Sequence, residues 1–160
     1  MRIAIVIAAL VSLGAGGVPA SARIADQSRR PVAAPAAPSA TIWDGVYTVG
    51  QAKRGSVQSE RCGRCHGAYL EGDFAPPLVG PDFVRKWDGK SLGELFELIE
   101  SNFAAMNEKE HAFDPDTLSR QQSADFLAYL LIQSRFPGGP TELPVSLEQL
   151  RQIRFQASKQ

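Results

Sequence analysis

Cys62-Gly63-Arg64-Cys65-His66 is the most informative segment of this 160-residue chain. It contains both cysteines and one of the two histidines in the sequence. Residues three apart at the end of a helix lie on neighbouring turns, so the thiols of Cys62 and Cys65 can reach one edge of the same ligand. His66 follows directly and would be directed beneath that ligand. The spacing therefore predicts a single site that combines two thiols with an imidazole.

The first 22 residues predict export. Arg2 is their only charge, and an apolar run from Ile3 to Leu13 follows it. The segment ends in Ala20-Ser21-Ala22, an A-x-A pattern typical of signal-peptide cleavage. A membrane span needs roughly 20 mostly apolar residues, and this run is shorter. We therefore expect residues 1–22 to be a cleaved signal peptide, the mature chain to lie in the periplasm, and no stable membrane insertion.

In an exported chain, the C-x-x-C-H pattern is typical of covalent haem attachment. Cys62 and Cys65 would bond the two vinyl-derived carbons on one haem edge, and the imidazole of His66 would bind the iron. Other interpretations are a Cys62–Cys65 disulfide, a thioredoxin-like dithiol and a zinc site that includes His111. The first two give His66 no role, and adjacent Cys65 and His66 rarely fit one tetrahedral zinc centre. The pattern favours one covalent haem c, with its iron, as the cofactor.

Composition divides the mature chain into a tether and one domain. Residues 23–41 are rich in Pro and Ala and have little apolar bulk to bury, so we expect a disordered tether. Residues 42–160 are enough for one domain with a modest core. Seventeen Lys and Arg balance seventeen Asp and Glu, and loss of the leader with Arg2 leaves a net charge of −1. This balance argues against a nucleic-acid-binding protein.

Helical signals dominate the domain. Capping patterns at Thr48–Gln51, Ser91–Glu94 and Ser119–Gln122 each precede an apolar face with helical spacing. A short last helix is predicted from Ser146 to Phe155, and no run of residues alternates as a strand would. A long irregular stretch is predicted at about 67–90, which is rich in Gly and Pro. Such long loops are uncommon in compact domains, and this one is explained if it wraps a ligand. The predicted class is all-α, with about four to five helices packed around the haem.

The sixth iron ligand is chosen from two candidates. Met106 is the only methionine besides Met1, and we expect it on a loop after the second predicted helix. His111 competes with it, but the charged residues 108–110 make the surroundings of His111 polar. Met106 could alternatively fill the core. The sequence favours His66 and Met106 as the two metal ligands.

With these residues in place, the chain resembles a class I c-type cytochrome from about Trp43 to its C-terminus. It is most similar to the monohaem cytochromes associated with quinoprotein (PQQ) alcohol dehydrogenases. One departure is Asn107, where the family usually has a proline after its methionine ligand. The positions that carry the resemblance, besides C-x-x-C-H, are Trp43-Asp44-Gly45-Val46-Tyr47-Thr48, Gln51-Ala52, Arg54-Gly55, Gly67, Pro76-Pro77-Leu78, Gly80, Phe83, Trp87, Ser91-Leu92, Met106, Ala124-Asp125, Leu127-Ala128-Tyr129-Leu130, Phe136-Pro137 and Thr141-Glu142-Leu143.

The resemblance also assigns expected roles outside the motif. By position, the carbonyl of Pro76 would accept a hydrogen bond from the proximal His66, and Pro77 would fix the direction of that carbonyl. Trp87 would pack against the haem or reach a propionate through its indole N–H, unless it is an ordinary core tryptophan. The apolar wall around the iron would consist of Leu78, Phe83, Phe96, Leu127 and Leu131.

The function implied is that of an electron carrier and not of an enzyme. Iron ligated by His66 and Met106 would alternate between ferrous and ferric states and pass one electron at a time. Expected partners are redox proteins, a PQQ dehydrogenase upstream and another cytochrome or a terminal oxidase downstream. The alternatives are a permanent cytochrome subunit of a PQQ-dependent dehydrogenase and a haem-based gas sensor.

Overall fold

The computed structural model describes residues 40–109 and 118–159, and for residues 104–109 it describes the backbone alone. This part of the chain is mainly helical with little sheet, which confirms the predicted class at that coarse level. No helix in the described ranges is long and apolar enough to cross a membrane. The α-helices are α1 (Val49–Gly55), α2 (Ser59–His66), α3 (Gly80–Trp87), α4 (Leu92–Lys109), α5 (Arg120–Gln133) and α6 (Leu147–Arg151).

Helices α1 and α5 cross at close range. The crossing lies at Gly55, the last residue of α1, which has no side chain to separate the two backbones. A Cβ atom placed on Gly55 would be 1.9 Å from the carbonyl oxygen of Asp125 in α5 and 2.7 Å from the amide nitrogen of Phe126. The glycine therefore sets the distance between the two helices.

An ion pair closes the same crossing from its solvent side. The guanidinium of Arg54 donates two hydrogen bonds of 3.0 Å to the two carboxylate oxygens of Asp125. It also donates to the exposed carboxylate of Glu142 at 2.9 Å. Asp125 is buried, and a buried carboxylate needs such partners because burial penalises its charge.

Two of the predicted capping boxes are confirmed, and they start helices α4 and α5, which supply many of the buried apolar residues. Ser91 and Glu94 bond each other's backbone N–H groups at the start of α4. Ser119 and Gln122 do the same at the start of α5. Helix α4 packs against α5 and α6. The buried apolar residues of these three helices include Leu92, Leu95, Phe96, Ile99, Ala124, Leu127, Ala128, Leu131 and Leu150.

The third predicted capping box is only half correct. The side chain of Thr48 accepts the Gln51 N–H at 3.0 Å and caps α1, as predicted. The side chain of Gln51 does not bond back to Thr48. It is buried, donates to the Leu143 carbonyl at 3.2 Å and accepts the Leu143 N–H at 2.7 Å. This pair of bonds ties the segment after α5 to α1.

The C-terminal segment differs from the prediction. Helix α6 ends at Arg151, whereas the sequence predicts helix as far as Phe155. Strand β2 (Ile153–Arg154) follows and pairs in parallel with β1 (Ala40–Thr41), two residues that the prediction assigns to the tether. Phe155 is buried at ring-centroid distances of 5.9 Å from Phe83 and 5.4 Å from Phe136. This aromatic packing of Phe155, the residue after β2, fixes the position of the short strand.

Helix α3 occupies part of the stretch 67–90, for which the sequence predicts irregular structure. The sequence of α3 nevertheless contains a few features that favour a helix. Pro81 stands in the first turn, where a missing N–H costs nothing, and Asp82 beside it suits the positive end of the helix. Phe83 and Trp87 lie one turn apart and are both buried. The helix thus adds an apolar face to the middle of the loop region.

Candidate functional site

Helix α2 carries the motif in its last two turns. Cys62 is buried, Cys65 is exposed, and both are free thiols. Gly67 ends the helix with φ 86°, a conformation that favours glycine. A Cβ atom on Gly67 would lie 3.1 Å from the carbonyl oxygen of Gly72. The chain therefore turns sharply directly after His66.

Residues 67–79, the loop between α2 and α3, fold back onto the end of α2. The Gly72 N–H donates to the His66 carbonyl at 2.6 Å, and the Ala75 N–H donates to the Cys65 carbonyl at 2.9 Å. Both carbonyls belong to the last turn of α2, where the helix itself offers no donor. These bonds bring Pro76, the residue after Ala75, beside the imidazole of His66.

The imidazole of His66 is hydrogen-bonded to the carbonyl of Pro76, as the resemblance implies. The Nδ1 and oxygen atoms are 2.5 Å apart. A carbonyl oxygen only accepts, so Nδ1 must carry the proton, and the neutral ring then has its lone pair on Nε2. A histidine held by its Nδ1–H in this way is typical of metal ligands, because the bond fixes the tautomer and makes the ring a stronger donor.

The motif forms one side of a cavity of about 470 Å³, within the range of roughly 300–1,000 Å³ that is usual for ligand and cofactor sites. Its wall is mainly apolar. Two cationic side chains, Arg61 and Lys86, belong to it, and no carboxylate is found in the described lining. Such a wall suits a large apolar ligand with negatively charged groups at its edge. The lining consists of Arg61, Cys62, Cys65, His66, Pro76, Pro77, Leu78, Phe83, Lys86, Trp87, Leu95, Leu98, Ile99, Asn102, Phe103, Phe126 and Leu130.

Two of the five predicted wall residues, Leu78 and Phe83, line this cavity. Phe96, Leu127 and Leu131 are buried in the core and do not line it. Helices α4 and α5 have apolar residues on two sides, one toward the core and one toward the cavity. Periodicity identifies buried positions and does not separate these sides. The cavity sides carry Leu95, Leu98, Ile99, Phe103, Phe126 and Leu130.

Helix α3 contributes Trp87, which lines the cavity. Its ring lies 6.4 Å from that of Phe83, between centroids, so the two aromatics form one surface. The ammonium of Lys86 is 5.9 Å from the Trp87 ring and is at the cavity as well. Arg85 instead forms an ion pair with Asp82 on the exposed side of the helix. Sequence reasoning missed Arg61, although it stands directly before Cys62 on α2.

Met106 lies within α4, not on a loop as the sequence predicts. Its backbone is four residues, about one helical turn, beyond Asn102, which lines the cavity. The side chain of Met106 lies outside the described part of the structure. His111, the competing ligand, also lies outside the described residues.

Burial raises the pKa of the Cys62 thiol to about 11, and the nearby positive charge of Arg61 offsets part of this rise. The thiol is therefore neutral at physiological pH. Cys62 is 8% exposed, whereas Cys65 is accessible at the mouth of the cavity. The two thiols of the motif thus differ in access to solvent, and burial makes the Cys62 thiol hard to ionise.

The described residues contain no group of three or more His, Cys, Asp or Glu side chains arranged to hold a metal ion. They also contain no βαβ unit, the context that a thioredoxin-like dithiol would need. Comparisons with protein-family models, with curated proteins and with solved structures found no match. The interpretation of the site therefore rests on its own geometry and chemistry.

Proposed function

We propose that this chain is a periplasmic electron-transfer protein of the c-type cytochrome kind, with one covalently bound haem. The observation that carries the proposal is the combination at the end of α2. Two free thiols and a histidine with its Nδ1–H bonded to Pro76 all line one apolar cavity. A disulfide or a dithiol would use the thiols alone, whereas a haem uses all three side chains and the cavity.

The donor set fits a haem edge and its iron. Cys62 and Cys65 would hold the cofactor by thioether bonds, and Nε2 of His66 would bind the iron. The bond to Pro76 would keep the imidazole in the tautomer that this ligation needs. Arg61 and Lys86 at the cavity would offset the negative charge of the haem propionates. When bound, the haem would supply a one-electron redox centre.

Met106 is proposed as the second residue that would bind the iron. Residues four apart on a helix are neighbours on its surface, and Asn102, four residues earlier on α4, lines the cavity. A thioether and a histidine as the two protein ligands would favour the reduced iron and raise its reduction potential. His111 is the competing ligand within this proposal.

The cavity wall suits electron transfer without bond-making chemistry. Apolar side chains from α3, α4 and α5 would keep water from the iron, while Cys65 would leave one cofactor edge near solvent. Tyr69 and Phe74, in the loop 67–79 that follows the motif, are 85% and 89% exposed. Exposed aromatic residues are frequent where proteins dock. A redox partner, a PQQ dehydrogenase upstream or a cytochrome or oxidase downstream, would meet the protein here in a weak, brief encounter.

Replacement of the cysteines tests the proposal. The protein is exported from a host that expresses the cytochrome maturation machinery. It is then denatured, separated by electrophoresis and stained for haem. We expect the wild type to retain haem and the Cys62→Ala, Cys65→Ala double variant to retain none, because only thioethers survive denaturation. Gly63→Ala is the matched control inside the motif, since a Cβ there meets nothing closer than 3.8 Å. Haem loss from Gly63→Ala, or absence of haem from the wild type, would contradict the proposal.

A further inference from the structure

Leu70, in the loop 67–79, combines two unusual properties. Its φ is 62°, in the left-handed region that residues other than Gly, Asn and Asp rarely adopt. Its side chain is only 1% exposed and belongs to the core, and it is not part of the cavity lining. A strained backbone persists only where the surroundings hold it, and such strain is concentrated at functional positions. The buried side chain of Leu70 supplies that hold.

The backbone of Leu70 is connected to the bond between His66 and Pro76. Residues 76 and 77 are prolines and have no N–H, so the nearest amide donors on either side of the Pro76 carbonyl are Ala75 and Leu78. Both are used. The Ala75 N–H donates to Cys65, and the Leu78 N–H donates to the carbonyl of Leu70 at 2.9 Å.

The carbonyl that His66 meets is therefore fixed on one side by α2 and on the other by Leu70. The Leu70 N–H in turn donates to the Gly67 carbonyl at 2.8 Å, which closes the turn directly after the motif. If Leu70 left its place in the core, the Leu78 anchor would move with it. The Pro76 carbonyl would then be held on one side only.

We propose that Leu70 is a positioning residue for the His66 imidazole. Its buried side chain anchors a strained turn, the turn holds the Pro76 carbonyl through Leu78, and the carbonyl fixes the tautomer and direction of His66. The importance of this arrangement for a haem iron rests on the proposed function. The arrangement itself belongs to the polypeptide and is testable with or without haem.

The test is nitrogen-15 NMR of the histidine side chains, in haem-free protein and in protein exported with haem. The chain has two histidines, and His111→Gln in the haem-free protein assigns the signals. The readouts are the protonation of Nδ1 of His66 and the exchange of its proton, together with that of the Leu78 amide, with water. Leu70→Ala removes the anchor and keeps a side chain at positive φ. Leu70→Gly removes the anchor and the strain together.

We expect Leu70→Ala to raise both exchange rates by roughly tenfold or more, the factor that corresponds to lost burial of one leucine side chain. Leu70→Gly should give a smaller increase, and Leu70→Met should stay within about threefold of wild type because it keeps the buried volume. If Leu70→Ala is too unstable to study, the increase in Leu70→Gly serves the same test.

Two controls separate positioning from general destabilisation. Leu150→Ala empties an equally buried site in α6, and Arg135→Gly relieves the positive φ of a second non-glycine residue, 66°. Neither should change the His66 signal in the folded protein. An unchanged His66 signal in folded Leu70→Ala and Leu70→Gly, or an equal change in Leu150→Ala, would overturn the inference. Failure of the wild type to acquire haem would contradict the proposed function alone.

Discussion

Substitution of Gly55 by alanine tests the close crossing of α1 and α5. The φ of Gly55 is −64°, which any residue can adopt, so the only penalty is steric. The new Cβ would lie 1.9 Å from the Asp125 carbonyl oxygen, and ordinary contact begins at 3.4 Å. The helices must therefore separate by about 1.5 Å. Because the obstacle is backbone and not a movable side chain, we expect a cost of about 3 kcal/mol, at the upper end of the usual range for overpacked cores.

The assay is thermal and urea unfolding of Gly55→Ala beside Gly50→Ala. Gly50 lies in the same helix, is exposed, and a Cβ there meets nothing closer than 3.7 Å. Alanine should stabilise the protein at that position by about 0.5–1 kcal/mol through its better helix propensity. Gly55→Ala should lower the melting temperature by roughly 10 °C, since 1 kcal/mol corresponds to a few degrees in a domain of this size.

The prediction is the difference in melting temperature between Gly55→Ala and Gly50→Ala. If Gly55→Ala melted within a degree or two of the wild type, α1 and α5 would not cross as closely as described. Loss of stability in both variants would instead indicate that α1 tolerates no substitution, and the steric argument would lose its basis.

Two further predictions concern a buried charge and the thiols. Arg54→Ala should lower the urea midpoint of unfolding clearly, because it leaves the buried Asp125 carboxylate without its main partner. Glu142→Gln at the exposed end should leave the midpoint nearly unchanged, and equal effects of the two variants would contradict this prediction. In haem-free protein at pH 8, iodoacetamide should label Cys65 and spare Cys62, whose pKa of about 11 leaves roughly one thiol in a thousand ionised. Peptide mass spectrometry measures the labelling of each cysteine, and equal labelling of Cys62 and Cys65 would refute the second prediction.

Features that depend on neighbouring residues were predictable from the sequence. The capping boxes at Ser91–Glu94 and Ser119–Gln122 are local, because each side chain reaches a backbone group three residues away. The motif at 62–66 is local in the same sense. The coarse helical class follows from the periodicity of the apolar residues.

The errors arise where distant parts of the chain compete for the same group. Gln51 has the spacing of a capping residue, yet its amide bonds Leu143, 92 positions away in sequence. Strand β2 has only two residues, too few for an alternating pattern, and depends on the packing of Phe155. Helix α3 was hidden because its Gly and Pro neighbours signal a loop, although its apolar residues are one turn apart.

The site could be predicted in part. Cys62, Cys65 and His66 come from their spacing, and the contact of Pro76 with His66 follows from the resemblance to class I cytochromes. The cavity sides of α4 and α5 could not be separated from the core sides by sequence, because both are apolar. The place of Leu70 could not be inferred either, since a positive φ at a leucine leaves no mark in the sequence.

Covalent haem and its ligands can be tested together by the absorption spectrum of the exported protein, oxidised and reduced, followed by acid–acetone extraction of the denatured protein. We expect haem to remain with the chain and the ferric form to show the weak long-wavelength band of sulfur bound to iron. Bound haem without that band would transfer the sixth position from Met106 to His111 or leave it open. A chain that carries no haem, or releases it into the solvent, would contradict the account.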